Sequence, residues 1–221
     1  MEDHEDVGVP FEPRWPLRAA LVGAILLYAT LPDRVVPGPR IVVPVIESAM
    51  FLVLAATTPS RHHSTRLHAR VLGFVLVGLV SASNIATLVL LSRELLHGTQ
   101  AGGRDLVIAA IQIWSTNVIA FGFWYWELDR GGPVVRMRPI SEHGLPDLLF
   151  PQMVSPQWSP QFWRPQFIDY LYVSFTNATA FSPTDTMPLS IWAKVLFAVQ
   201  SGASLITVAL VAARAVNVLS S

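Results

Sequence analysis

Cysteine is absent from the 221 residues, and that absence removes disulfide frameworks, thiolate metal sites and cysteine nucleophiles together. Charge is scarce as well: Asp, Glu, Lys and Arg make up 14% of the chain, against about 25% in a typical soluble domain. Neither sign dominates, because Lys+Arg and Asp+Glu are equal at 15 each, so no basic excess directs the chain onto nucleic acid. Also missing are a Ser/His/Asp order, a phosphate-binding glycine loop and an HExxH run; no enzymatic activity and no cofactor are expected. The opening MEDHEDVGVPFEP carries no basic run and no small-residue cleavage site, so a cleaved signal peptide is not expected.

What the chain has in abundance is apolar surface: 52% hydrophobic residues and a mean hydropathy of +0.47. Apolar stretches bounded by Pro, Gly or charge predict helices over Leu17 to Leu31, Ile41 to Thr57, Val71 to Leu91, Leu106 to Trp126 and Leu189 to Val218. Backbone groups in lipid must bond internally, and no ten-residue alternation suggests a barrel. The expected fold is therefore an all-α, polytopic membrane bundle of about five transmembrane helices. Four regions follow from this: a tail over 1–16, a four-helix region over 17–126, a Pro- and aromatic-rich segment over 127–166, and a C-terminal module over 167–221. In the third region, Trp158, Phe162 and Trp163, with Tyr170 and Tyr172 just after, suit either a bilayer headgroup layer or a cover over the bundle itself.

Phe167 to Pro188, FIDYLYVSFTNATAFSPTDTMP, is too short and too polar for a further span. Such a segment sits at membrane depth only when buried in protein or facing water, which predicts a re-entrant helix and loop. Here the sequence resembles the two-helix pore module of potassium channels, whose pore helix and filter run SFVTLTTVGYGDITP. Laid without gaps, Ser174 and Phe175 match its opening, Thr179 the first filter-side threonine, and Asp185 and Pro188 the aspartate and proline after the filter. The chain is also similar, more weakly, to a family of uncharacterised bacterial multi-spanning proteins that end in a YFSF-type re-entrant segment. This likeness implies a multi-pass protein of a bacterial inner membrane, a homo-oligomer on the pattern of a tetramer, and Leu106 to Trp126 and Leu189 to Val218 as outer and inner helices.

The filter glycines are replaced by Ser182 and Thr184 and its tyrosine by Pro183. A carbonyl ring of the potassium type needs backbone angles closed to these residues. What is left at the constriction is Thr179, Ser182, Pro183, Thr184 and Asp185, a set of hydroxyls with one carboxylate that an oligomer would gather into a weakly cation-selective ring. The alternative is a non-conducting protein that keeps the architecture for assembly or for binding lipid or a protein partner, with Asp185 serving as a helix cap.

Several polar residues fall within the apolar segments. Glu47 is an ionisable residue at membrane depth and is expected to face a cavity, a partner such as Lys194 or Arg214, or the interface. Gln112, Ser115, Thr116 and Asn117 cluster on the fourth helix, and Gln200, Ser204 and Thr207 share a face of the fifth. Such faces line an aqueous path or, more commonly, bond between helices, and Asn84 belongs with them. Metal binding by His62, His63 and His68 is not expected, because no carboxylate or thiolate accompanies them. The basic run Arg61 to Arg70 instead fits a cytoplasmic loop, as do Arg130, Arg136 and Arg138, which makes the re-entrant segment open toward the cytoplasm.

Overall fold

A computed structural model describes residues 15–39, 41–57, 66–96, 103–136, 144–160, 163–179 and 185–219. The chain is mostly helical: α1 (Trp15–Ala29), α2 (Val42–Thr57), α3 (Arg66–Leu96), α4 (Gly103–Leu128), the single turns α5 (Pro133–Arg136) and α6 (Pro151–Val154), then α7 (Phe167–Thr179) and α8 (Ile191–Leu219). Three of these, over Arg70–Leu95, Arg104–Gly131 and Ile191–Ala213, are long and apolar enough to cross a bilayer, while α1 and α2 are shorter apolar helices. At about 1.5 Å per residue, α1 and α2 reach only about 23 Å.

Breaks between helices have local causes. Pro32, Pro37, Pro39 and Gly38, the last at φ +78°, turn α1 back into α2, and Pro44 is tolerated inside α2 because it falls in the first turn. Helix α4 ends in three consecutive positive-φ residues, Arg130, Gly131 and Gly132. At Gly132 a Cβ would lie 2.9 Å from the Glu127 carbonyl oxygen, so only glycine fits this reversal. Asp169 caps the start of α7, accepting from the Gln166 backbone N–H at 2.7 Å, the reach-back half of a capping box.

Helix α4 is the centre of the bundle. One side of it packs with α1 and α3 through Leu21, Ala24, Leu76, Val80, Ala120 and Phe123, and further along through Tyr28, Leu88, Leu91, Ala109 and Ile113. The other side receives α7 and α8 through Phe121, Tyr125, Tyr170, Val173, Ala193 and Phe197. Residues 148–149 form a two-residue strand, β1, antiparallel to β2 (Met187–Pro188), with Leu148 opposite Pro188.

The expected helix bounds shift by a few residues. Helix α3 runs five residues further at each end than Val71 to Leu91, because Arg, Glu and Leu sustain a helix past its apolar stretch. Helix α1 sits two residues earlier than Leu17 to Leu31; Thr30 ends it by turning its hydroxyl onto the Leu26 and Leu27 carbonyls.

Candidate functional site

Helix α7 enters the bundle beside the C-terminal end of α4, where Phe167 stacks on Phe123 with ring centroids 4.9 Å apart. Thirteen residues carry it inward by about 20 Å. Its tip lies at mid-height: the Ala178 carbonyl accepts from Ser204 in the middle of α8, and Ser204 in turn accepts from the Trp114 indole of α4 at 2.9 Å. The chain then comes back to the end from which it started, because β2 pairs with β1 and Trp192, at the start of α8, donates to Asp147 at 2.9 Å. Helix α7 and the segment from residue 185 onward thus begin and end at the same end of the bundle, between two long helices.

Gln200 is the polar centre of this hairpin. It is fully buried; its oxygen accepts from Tyr125 at 2.6 Å and from Asn177 at 2.9 Å, and its amide donates to the Ser174 hydroxyl and carbonyl. Ser174 donates across to the Val118 carbonyl of α4 at 2.7 Å. Ser201 donates to the Asn177 side chain and carbonyl. Side chains from α4, α7 and α8 thus satisfy one another in the interior, where an unmet polar group is costly.

A second centre fastens the mouth of the hairpin. Asp129, fully buried, accepts from the Tyr170 hydroxyl at 2.6 Å and from the backbone N–H groups of Asp147 and Leu148. Burial holds the Tyr170 phenol protonated, well above its ordinary range and against the pull of nearby Arg136, so it is the donor in this pair. The Arg136 guanidinium lies over the Tyr170 ring at 4.9 Å and donates to the carbonyls of Trp126 and Asp129.

Of the residues expected at the constriction, Thr179 is exposed at the tip, its hydroxyl turned back onto the Phe175 carbonyl at 3.0 Å, and Asp185 is exposed on the return. Ser182, Pro183 and Thr184 lie outside the described residues. An open groove of about 420 Å³ borders the tip, lined by Trp114, Ala178, Thr179 and Thr207 together with apolar side chains of α4 and α8.

The remaining expected positions are dispersed. Gln200, Ser204 and Thr207 do share the buried face of α8, while Val195, Val199 and Ile206 on its other side are exposed. Thr116 is buried and bonds within α4 to the Gln112 carbonyl; Gln112 donates to Thr30 of α1. Asn84 donates to the Ile113 carbonyl at 2.7 Å. Glu47 is buried between α1 and α3, and Lys194, named as its partner, is exposed at the start of α8; the side chains of Arg214 and His68, and all of His62, His63, Arg138 and Phe162, lie outside the described residues. Trp163 packs with Phe150 on the bundle end, whereas Trp158 is exposed.

Asp129, Tyr125 and Asn177 were not singled out by sequence, while Tyr170 and Arg136 were read there as an interfacial or covering ring and a cytoplasmic-side cation and not as partners of Asp129. Ser174, Asn177 and Ala178, at i, i+3 and i+4 in an aromatic helix, did carry a signal for an inward polar face. Set against protein-family models, curated proteins and solved structures, the chain matches none of them.

Proposed function

We propose that the chain is a multi-pass membrane protein in which α1, α2, α3, α4 and α8 cross the bilayer and α7 with its return dips in from one face. Copies then assemble around an axis, and the tip and return, with Thr179 and Asp185, form the constriction of a weakly cation-selective pore. The observation that carries this reading is the re-entrant path itself: a half-length helix entering and leaving at one end of the bundle, between two helices long enough to span. Helix α8 supports the membrane setting, since its buried face is Gln200, Ser204 and Thr207 and its exposed face is Val195, Val199 and Ile206. Water favours the reverse arrangement and lipid favours this one. Arg70, Arg130, Arg136 and Arg164 sit at the mouth end with the tail of α4, through contacts to Glu127, Asp147, Trp126 and Arg136. By the positive-inside rule that end faces the cytoplasm.

A second reading has its own observation. Ser174, Asn177, Gln200, Ser201 and Ser204 all bond within the chain, so the hairpin is complete as a structural element and would serve a non-conducting protein that binds lipid or a partner.

Ion flux through the purified protein in liposomes, with potassium, sodium and chloride gradients compared, separates the two. A pore gives cation flux that falls or loses its cation preference in Asp185→Asn. Absence of flux from folded oligomers overturns the pore and leaves the second reading.

A further inference from the structure

Away from the hairpin, the four-helix half of the chain buries a carboxyl that its surroundings do not satisfy. Glu47 is 1% exposed, and its Oε1 accepts no hydrogen bond from the described residues. It sits on the inward face of α2, between Val43, which packs against the core cluster that includes Tyr28, Leu31 and Leu88, and Met50, which packs against the one that includes Ala24 and Val80. Tyr28 of α1 is 2% exposed, its hydroxyl likewise has no partner, and it is close enough to Glu47 for the two to interact electrostatically. Two orphaned oxygens on neighbouring helices, near enough to feel each other's charge, are an unusual expense in a packed interior.

The buried polar groups of the helices packed around them are neutral among the described residues. From α3, the buried polar side chains among the described residues are Ser83, Asn84 and Thr87, whose hydroxyl or amide hydrogens go to the Leu79, Ile113, Ser83 and Asn84 carbonyls. Asp33 and Arg34 are exposed in the turn that joins α1 to α2, and Arg93 and Glu94 lie at the far end of α3, on the periphery of this core. No basic side chain is among the buried groups of α1, α2 or α3 in the described residues. An ionised carboxylate without a counter-charge is among the costliest groups to bury, so the site must hold one positive charge to be closed as it is.

We propose that Glu47, with Tyr28, is an intramembrane proton-binding site. In the closed bundle the carboxyl carries its proton; when the proton leaves, the Tyr28 hydroxyl turns to donate to the carboxylate. Glu47 is the sixth residue of α2, about 7.5 Å from the end of the helix that faces away from the hairpin mouth. Proton exchange therefore runs to the side opposite the one on which α7 opens. The site rests on the membrane placement proposed above and not on conduction, because none of its residues belongs to α4, α7 or α8.

The test is labelling of the full-length protein in liposomes by dicyclohexylcarbodiimide, an apolar reagent that adds to a protonated carboxyl. The acid proton passes to a carbodiimide nitrogen, the carboxylate oxygen bonds to the central carbon, and rearrangement leaves a stable N-acylurea with no atom lost. Peptide mass spectrometry reads the adduct on Glu47. The proposal expects labelling at Glu47 that is lost in Glu47→Gln and falls about tenfold for each pH unit above its midpoint. In Tyr28→Phe the midpoint moves up by about half a unit or more, since the group that would stabilise the carboxylate is gone. Absence of the Glu47 adduct, labelling unchanged from about pH 5 to about pH 9, or an unmoved midpoint in Tyr28→Phe overturns it. So does protection by sodium at constant pH, which would make the occupant a metal cation. Neither a negative nor a positive flux result bears on these outcomes.

Discussion

The Gln200 side-chain oxygen on α8 lies 2.6 Å from the Tyr125 hydroxyl on α4 and 2.9 Å from the Asn177 amide on α7, so one acceptor joins the three helices of the re-entrant unit. Replacing it with an apolar residue of similar size strips a partner from buried Tyr125 and Ser174 and from half-buried Asn177 at once. Gln200→Leu is expected to destabilise the protein by about 2–4 kcal/mol, the sum of a few unmet hydrogen bonds. Tyr125→Phe, which leaves Asn177 on the same oxygen, is expected to cost about 1 kcal/mol. Denaturant unfolding in detergent, followed by tryptophan fluorescence, checks both the size and the order.

Asp129 ties the loop over 144–150 to the start of α7. Removing its carboxylate leaves the Tyr170 hydroxyl, two backbone N–H groups and the Arg130 guanidinium without this acceptor. Asp129→Ala is expected to cost about 3–5 kcal/mol, as when one member of a buried charged set is deleted, and to expose the 144–160 segment to limited proteolysis. Tyr170→Phe, with the ring and its contact to Arg136 intact, should retain the native cleavage pattern.

At Gly122 the backbone of α7 comes close to α4. A Cβ there would stand 3.2 Å from both Cα and Cδ1 of Leu171, and a backbone atom cannot swing aside as a side-chain end can. Gly122→Ala is expected to cost about 1–3 kcal/mol by overpacking, against any gain in helix propensity, and Gly122→Val more. Thermal stability of the two variants in detergent should fall in that order; an unchanged Gly122→Ala would mean that α7 rides further from α4 than the structure places it.

Much of the fold was legible because the relevant signals are local. Five apolar stretches, their Pro and Gly breaks and the short, polar character of residues 167–179 each depend on neighbours in sequence; each stretch became a helix, and three of the helices are long and apolar enough to span a bilayer. The shared face of Gln200, Ser204 and Thr207 was legible for the same reason. The partners of that face were not: Tyr125 is 75 residues from Gln200, and Tyr170 is 41 from Asp129, so no periodicity connects them. Glu47 illustrates the limit. Its position marked it as an ionisable group facing a cavity, the interface or a partner, with Lys194 and Arg214 the candidates by charge alone, whereas packing of α2 against α1 and α3 brings Tyr28 within its electrostatic reach.

Because the chain contains no cysteine, single cysteines can report sidedness without background, and this tests the re-entrant hairpin most directly. Leu145→Cys, Asp185→Cys and Pro39→Cys, all at exposed positions, would be treated in sealed, oriented vesicles with a thiol reagent that does not cross the bilayer. The account predicts that positions 145 and 185 react from the same side and position 39 from the other. Reaction of position 185 from the side of position 39 would mean that α7 crosses the membrane instead of returning, and would contradict the hairpin on which the pore reading stands.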